Sequence, residues 1–138
     1  MFSTYQKGQI AQIKVELRAY EKGVVVSRPT IEARYDLILD VSGRLWRAQV
    51  KHAQRSRNGS AYNVDLRKQT RNHKRRREQA TYTTDEIDVL MVYLPGLEEV
   101  LWVGPEVFAG GAKHLSFRTK PCLNKQKNGI RLAAEFIW

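Results

Sequence analysis

The sequence predicts an α/β fold, in which helices pack against a β-sheet. The chain opens with a segment of helical spacing, and two strand-like segments then meet at a tight turn, Ser42-Gly43. A later, nearly all-apolar run from Ile87 to Leu94 is typical of a strand that is covered on both faces. The chain has 138 residues, of which 42% are hydrophobic, so we expect one domain with a sizeable core.

The first helix is predicted from four large apolar residues at helical spacing. They are Ile10, Ile13, Leu17 and Tyr20. The pattern stops at Gly23, a residue suited to the left-handed conformation at a helix end, so the helix runs from about Tyr5 to Lys22. A short β-branched strand, Val24 to Ser27, should follow it.

A β-hairpin is predicted next, with strands Ala33 to Val41 and Arg44 to Ala53 on either side of Ser42-Gly43. With a two-residue loop at Ser42-Gly43, the residue numbers of every facing pair have the same total, 85. Asp36 therefore faces Gln49, and Lys51 shares their face. The other face is apolar and should belong to the core. Its members are Tyr35, Leu37, Leu39, Val41, Trp46, Ala48 and Val50.

The rest of the chain supplies weaker signals. We expect a central strand at Ile87 to Leu94, a further edge strand at Ala61 to Leu66 and a returning strand at Val100 to Val103. A short helix should start at Pro105 and run to Ala109, and Ile130 to Trp138 is an amphipathic end of undecided type.

Charge is the strongest feature of the composition. The chain has 24 Lys and Arg against 14 Asp and Glu, a formal net charge of +10, so a polyanion is the expected partner. From Arg44 to Arg77 there are 12 basic residues and one acid, Asp65. This concentration is typical of a phosphate-binding surface, although a basic run such as Lys74 to Arg77 is also found in ordinary solvated loops. We expect a basic loop at about residues 54–78.

Several classes of protein are excluded by what the sequence lacks. Cys122 stands alone, which excludes a disulfide framework and a paired-thiol zinc site. No run approaches the roughly 18 consecutive apolar residues of a membrane span, and the N-terminus has no signal-peptide core, so we expect a cytosolic protein without a membrane partner.

The polar residues of the hairpin suggest a binding site for a divalent cation. Asp36 supplies an anionic oxygen, Gln49 a neutral one, and the backbone carbonyl of Val50 a third ligand of the type that Mg²⁺ accepts. Lys51 would then hold the attacking water or stabilise charge on a phosphate. An equally simple interpretation is a surface ion pair between Asp36 and a neighbouring cation, and spacing alone does not decide between them.

Four short motifs occur in order: KGQIAQ, the Gly23 after the first helix, RYDLILD, and QVK after the hairpin. In order and spacing they resemble the PD-(D/E)XK nuclease superfamily, and more narrowly the bacterial group I intron-encoded homing endonucleases, which carry QxK as the last motif. The resemblance covers about residues 7–66. It implies a restriction-endonuclease-like core with a central mixed sheet flanked by helices, and catalytic roles for Asp36, Gln49 and Lys51.

The resemblance also implies an acid in the first helix, and here the chain departs from the pattern. The position that follows KGxxx is Gln12, which leaves Asp36 as the only carboxylate of the matched set. Either the chain is an impaired variant, which we favour, or Glu16, one helical turn further on, supplies the acid.

By the same resemblance, the chain should be a metal-dependent, site-specific endonuclease of duplex DNA that uses Mg²⁺ or Mn²⁺. Because one site cuts one strand, a homo-oligomer, either a dimer or a tetramer, is expected. A Holliday-junction resolvase-like nuclease and a non-catalytic nucleic-acid-binding protein are the alternatives. The expected DNA contacts are Arg55, Arg57, Arg67, Lys68, Arg71, Lys74, Arg75, Arg76 and Arg77.

Overall fold

A computed structural model describes residues 1–67, 81–121 and 129–138 of the chain. The predicted class is confirmed, because a mixed central sheet has a long helix on one face. A second, smaller sheet covers the other face, so the described part of the chain forms three layers. No described helix is long and apolar enough to cross a membrane.

The central sheet has five strands, which lie side by side in the order β1 (Val25–Ser27), β2 (Leu37–Val41), β3 (Arg44–His52), β6 (Val89–Leu94) and β7 (Glu99–Val103). Only the β3–β6 pair is parallel, and the other three pairs are antiparallel. The predicted central strand β6 is confirmed, because it lies between two neighbours and all six of its residues are buried.

The second sheet was not predicted. Its three strands, in the order β4-β5-β8, are Gln54–Arg55 (β4), Ala61–Asp65 (β5) and His114–Arg118 (β8). The prediction of an edge strand at Ala61 to Leu66 was wrong in its placement, because β5 is the central strand of this sheet and lies between β4 and β8. The expected basic loop begins within this sheet, and its remainder at residues 68–78 lies outside the described residues.

The predicted hairpin register is confirmed. Leu37 pairs with Ala48 and Val41 with Arg44, so the numbers of each pair add to 85 as expected. Ser42 and Gly43 both have positive φ, of 53° and 83°, as a two-residue turn between twisted strands requires. One member of the apolar face was misassigned: Tyr35 lies outside β2, where strand alternation no longer applies, and packs against the opposite core.

Helix α1, Thr4–Glu21, begins with a capping box in which the Ser3 and Gln6 side chains bond each other's backbone N–H groups. It ends one residue before Lys22, and Gly23 follows with a φ of 70°. The helix was predicted correctly, but of the four large apolar residues that predicted it only Ile10 packs against the sheet core, and Ile13, Leu17 and Tyr20 are exposed. A narrower stripe of small residues does: Ala11, Val15 and Ala19.

The remaining described elements are a short helix and the C-terminal segment. Helix α2, Pro105–Phe108, has its proline in the first turn, as predicted, and buries Phe108 between the layers. The C-terminal segment, whose type the sequence left undecided, forms a 3₁₀ helix at Ala133–Glu135, and Trp138 N–H donates to the carbonyl of Val100 on β7.

Candidate active site

The candidate site lies where β2 begins beside the C-terminal half of β3. The backbone N–H of Asp36 donates to the carbonyl of Ala48, and the N–H of Val50 donates to Asp36 Oδ2; both distances are 2.8 Å. The Asp36 carboxylate is therefore fixed against the backbone of β3, just beyond the last ladder pair. Because the N–H and C=O of one strand residue point to the same side, the Val50 carbonyl lies on the Asp36 side of β3.

Gln49 and Lys51 flank Val50 on β3 and point to the opposite face from it. Val50 packs in the core with α1, so Gln49 and Lys51 lie on the face that the second sheet covers. All three polar residues of the hairpin are partly buried. A second layer therefore lies over the face that carries Gln49 and Lys51.

Burial dominates the electrostatics of the site. It raises the pKa of Asp36, against the opposing effects of the Val50 N–H and the Lys51 ammonium. Burial also lowers the pKa of Lys51, and the carboxylates of Asp65 and Asp36 offset part of that effect. The two charges therefore attract each other, yet each is held in a less favourable environment than water.

Two further residues interact with Lys51, and sequence reasoning missed both. The Lys51 ammonium lies over the Tyr82 ring, 5.2 Å from its centroid, and burial raises the pKa of Tyr82 to about 12. Asp65, at the end of β5, is held by Arg67 at 2.7 Å, a pairing that lowers the pKa of Asp65 to about 2. No local pattern marks either residue, because both reach Lys51 only through the packing of the layers.

The two candidate acids of the first helix occupy different surroundings. Gln12 lies beside the buried Ala11 on α1 and is partly exposed. Glu16 accepts two hydrogen bonds from Arg28, one from Nε at 2.6 Å and one from Nη2 at 2.7 Å. The Glu16 carboxylate is thus already neutralised by a guanidinium.

The predicted DNA contacts are only partly within the described residues. Arg55 and Arg57 are exposed, and Arg67 is partly exposed while it holds Asp65. The other six positions lie outside the described residues. They are Lys68, Arg71, Lys74, Arg75, Arg76 and Arg77.

Comparison with known proteins decides the family. The family model for PD-(D/E)XK endonucleases matches residues 2–138. The chain belongs to the PD-(D/E)XK endonuclease family. Endonucleases of this family generally use divalent metal ions. No protein of curated function matches the sequence.

A solved structure extends the family likeness to the whole fold. The chain is similar to the bacterial homing endonuclease I-Ssp6803I, with 27% sequence identity and a TM-score of 0.80 over 99% of this chain and 89% of that one. The predicted family and core fold are therefore confirmed, and the chain is an endonuclease of the PD-(D/E)XK type.

Proposed function

We propose that this PD-(D/E)XK endonuclease is a metal-dependent, site-specific enzyme that hydrolyses phosphodiester bonds in duplex DNA, in the manner of a homing endonuclease. The observation that carries the proposal is the Asp36 carboxylate fixed 2.8 Å from the Val50 N–H, with Lys51 next along the strand. The family match and the likeness to a homing endonuclease support it independently.

The residues at this site fit a divalent cation. Asp36, Gln49 and the Val50 carbonyl offer carboxylate, amide and backbone oxygens, which is the donor set of a hard cation such as Mg²⁺, with Mn²⁺ as a substitute. The raised pKa of Asp36 supports this assignment, since a cation would compensate a carboxylate that burial disfavours. Within the described residues no group of three His, Cys, Asp or Glu side chains gathers, so we expect a site with a single formal charge.

Lys51 and Asp36 have different roles in the proposed hydrolysis. When bound, a divalent cation supplies Lewis acidity at the scissile phosphate. Lys51 is the cation best placed to stabilise the charge that develops on the phosphate or to hold the attacking water. Asp36 orients its ligand oxygen through the hydrogen bond from Val50. Because Lys51 is partly buried, its charge acts in a medium that screens it less than water does.

The departure at position 12 bears on the efficiency of this enzyme. With Gln12 in place of an acid, the proposed site holds one carboxylate, so we expect weak metal binding and slow cleavage. We infer that Glu16 does not substitute for the missing acid, because its carboxylate would first have to leave Arg28.

The expected partners are duplex DNA, because of the positive charge, and further copies of the chain, because each active site cuts one strand. We propose that the basic segment that includes Arg55, Arg57 and Arg67 contacts the phosphates of duplex DNA, and that the enzyme acts as a homo-oligomer, since one site cuts one strand. The formal net charge of +10 supports a DNA partner.

A cleavage assay on a random duplex library with Mg²⁺ or Mn²⁺ tests the proposal, with Asp36→Asn as the matched inactive control. Metal-dependent cuts at a defined sequence that Asp36→Asn loses would support it. Preference for a four-way junction over linear duplex would instead indicate a resolvase. Tight binding without cleavage under either metal, with Gln12→Glu included, would indicate a non-catalytic binding protein.

A further inference from the structure

The outer face of α1 carries large apolar side chains that the described part of the fold leaves uncovered. Ile13 is 55% exposed, Leu17 52% and Tyr20 76%. At 100° per residue these three lie about 140–160° around the helix from the buried Val15, on the side away from the sheet. We call Ile13, Leu17 and Tyr20 the outer stripe.

The outer stripe reverses the usual order of an amphipathic helix. An apolar stripe normally faces the core, yet α1 turns Ala11, Val15 and Ala19 inward and three of its large apolar residues outward. Contiguous exposed apolar residues of this kind mark interaction sites in soluble proteins. The packing of α1 on the sheet is therefore complete without the outer stripe, which is left free for a second protein surface.

The charges beside the outer stripe indicate what covers it. Lys14 and Glu21 lie seven residues apart, about 20° from each other around the helix, so they share one flank of the stripe. A two-fold axis near Leu17 would run two copies of α1 antiparallel and bring Lys14 of one copy to the level of Glu21 of the partner subunit. Opposite charges then meet twice, once at each end of the contact.

The charged residues near the stripe also have partners within the chain. Glu16 binds Arg28, and Arg18 binds Glu99 at 3.1 Å and lies 3.9 Å from Glu21. The Glu21 carboxylate keeps acceptor positions for a second cation. Lys14 also holds Glu98 at 2.6 Å, and an ammonium has three donors, so this pair leaves donors for a second acid. The flanks therefore present little net charge, which matters because two copies of a chain with a net charge of +10 repel each other over most of their surface.

We propose that the outer stripe of α1 is the surface through which two copies of this chain associate, with their α1 helices antiparallel. The proposal deepens the homo-oligomer of the proposed function by naming its interface. DNA is a poor occupant, because the stripe is apolar and its flanks are neutralised. Moreover, α1 lies on the opposite face of the central sheet from Gln49 and Lys51, so pairing there places no second copy over these two residues.

Sedimentation equilibrium without DNA or metal tests the interface. We expect the unmodified chain to dimerise and Leu17→Glu to raise the dissociation constant by at least about tenfold, since two buried carboxylates would meet near the axis. Leu45→Glu is the matched control, because Leu45 is 64% exposed on β3 and lies outside the stripe. Leu17→Gln repeats the test without added charge. A chain that stays monomeric, or a Leu17→Glu variant that dimerises as well as the unmodified chain, would overturn the proposal.

Disulfide trapping tests the antiparallel arrangement in a Cys122→Ser background. Leu17→Cys, near the axis, should cross-link to its own copy under mild oxidation. Gln6→Cys should not, because antiparallel helices would separate the two Gln6 positions by roughly 33 Å along the helix axis. Cross-linking of Gln6→Cys but not Leu17→Cys would overturn the arrangement. A dimer with these properties that cuts no DNA would leave the interface standing while the proposed nuclease activity failed.

Discussion

Replacement of Lys51 by methionine should lower cleavage while leaving the fold as stable or more stable. Burial lowers the pKa of Lys51 even though Asp65 and Asp36 oppose that shift, so the folded protein disfavours the ammonium overall. Methionine keeps most of the apolar stem of the side chain and removes the charge. The stabilising role of Lys51 would then be confined to the reaction, where negative charge develops on the phosphate.

The two effects have different expected sizes. The loss of one positioned electrostatic contact typically slows catalysis about 10²–10³-fold, or about 2.7–4 kcal/mol. Exchange of a buried charge for an apolar group is often neutral or stabilising. For the partly buried Lys51 we expect a gain of about 0–1 kcal/mol, which raises the melting temperature by up to about 4 °C.

Single-turnover cleavage and thermal unfolding, measured on the same preparation, check this prediction. Lys113→Met, at an exposed lysine, is the control that should change neither quantity. The reasoning is refuted if Lys51→Met lowers the melting temperature by several degrees and loses no more activity than the unfolded fraction explains, because Lys51 would then be structural.

Three further predictions concern metal binding, DNA affinity and stability. Gln12→Glu should increase metal-dependent cleavage, and Glu16→Gln should have little effect in that background. If Gln12→Glu instead left cleavage unchanged and Glu16→Gln abolished it in the original chain, the first-helix acid would be Glu16. Replacement of residues 74–77 by alanine should weaken binding to every duplex and make the slope of log K against log salt shallower by up to about 0.9 per lost phosphate contact; an unchanged slope would exclude this segment from the DNA contact. Asp88→Asn should reduce the free energy of unfolding in urea at pH 7 by about 1–2 kcal/mol, because Asp88 accepts three hydrogen bonds from the partly buried Arg47. The Arg47 contact lowers the pKa of Asp88, so the difference should persist above the ordinary carboxyl pKa of 3.8 and disappear as the pH falls through the lower folded value; a difference that survives in strong acid would show another cause.

The sequence by itself determined the elements that form through contacts between residues close in the chain, namely helix α1 and the hairpin. Helical spacing and Gly23 predicted α1 to within a residue or so, and alternation around Ser42-Gly43 predicted the hairpin register without error. The register places Asp36 beside Val50, so the sequence alone was sufficient to bring the aspartate to the QVK strand. These features depend on contacts between residues close in the chain, where backbone geometry leaves few choices.

Only the tertiary structure decided what covers each surface. The strand β8 carries just two buried apolar residues, Leu115 and Phe117. Its pairing with β5 joins segments about 50 residues apart, so no local sequence pattern predicts this strand. The same packing brings Tyr82 and Asp65 to Lys51. For α1, the sequence offers two apolar stripes, and the helix packs on the sheet through the one formed by Ala11, Val15 and Ala19. Periodicity measures how residues repeat along an element, whereas burial depends on which distant element packs against it.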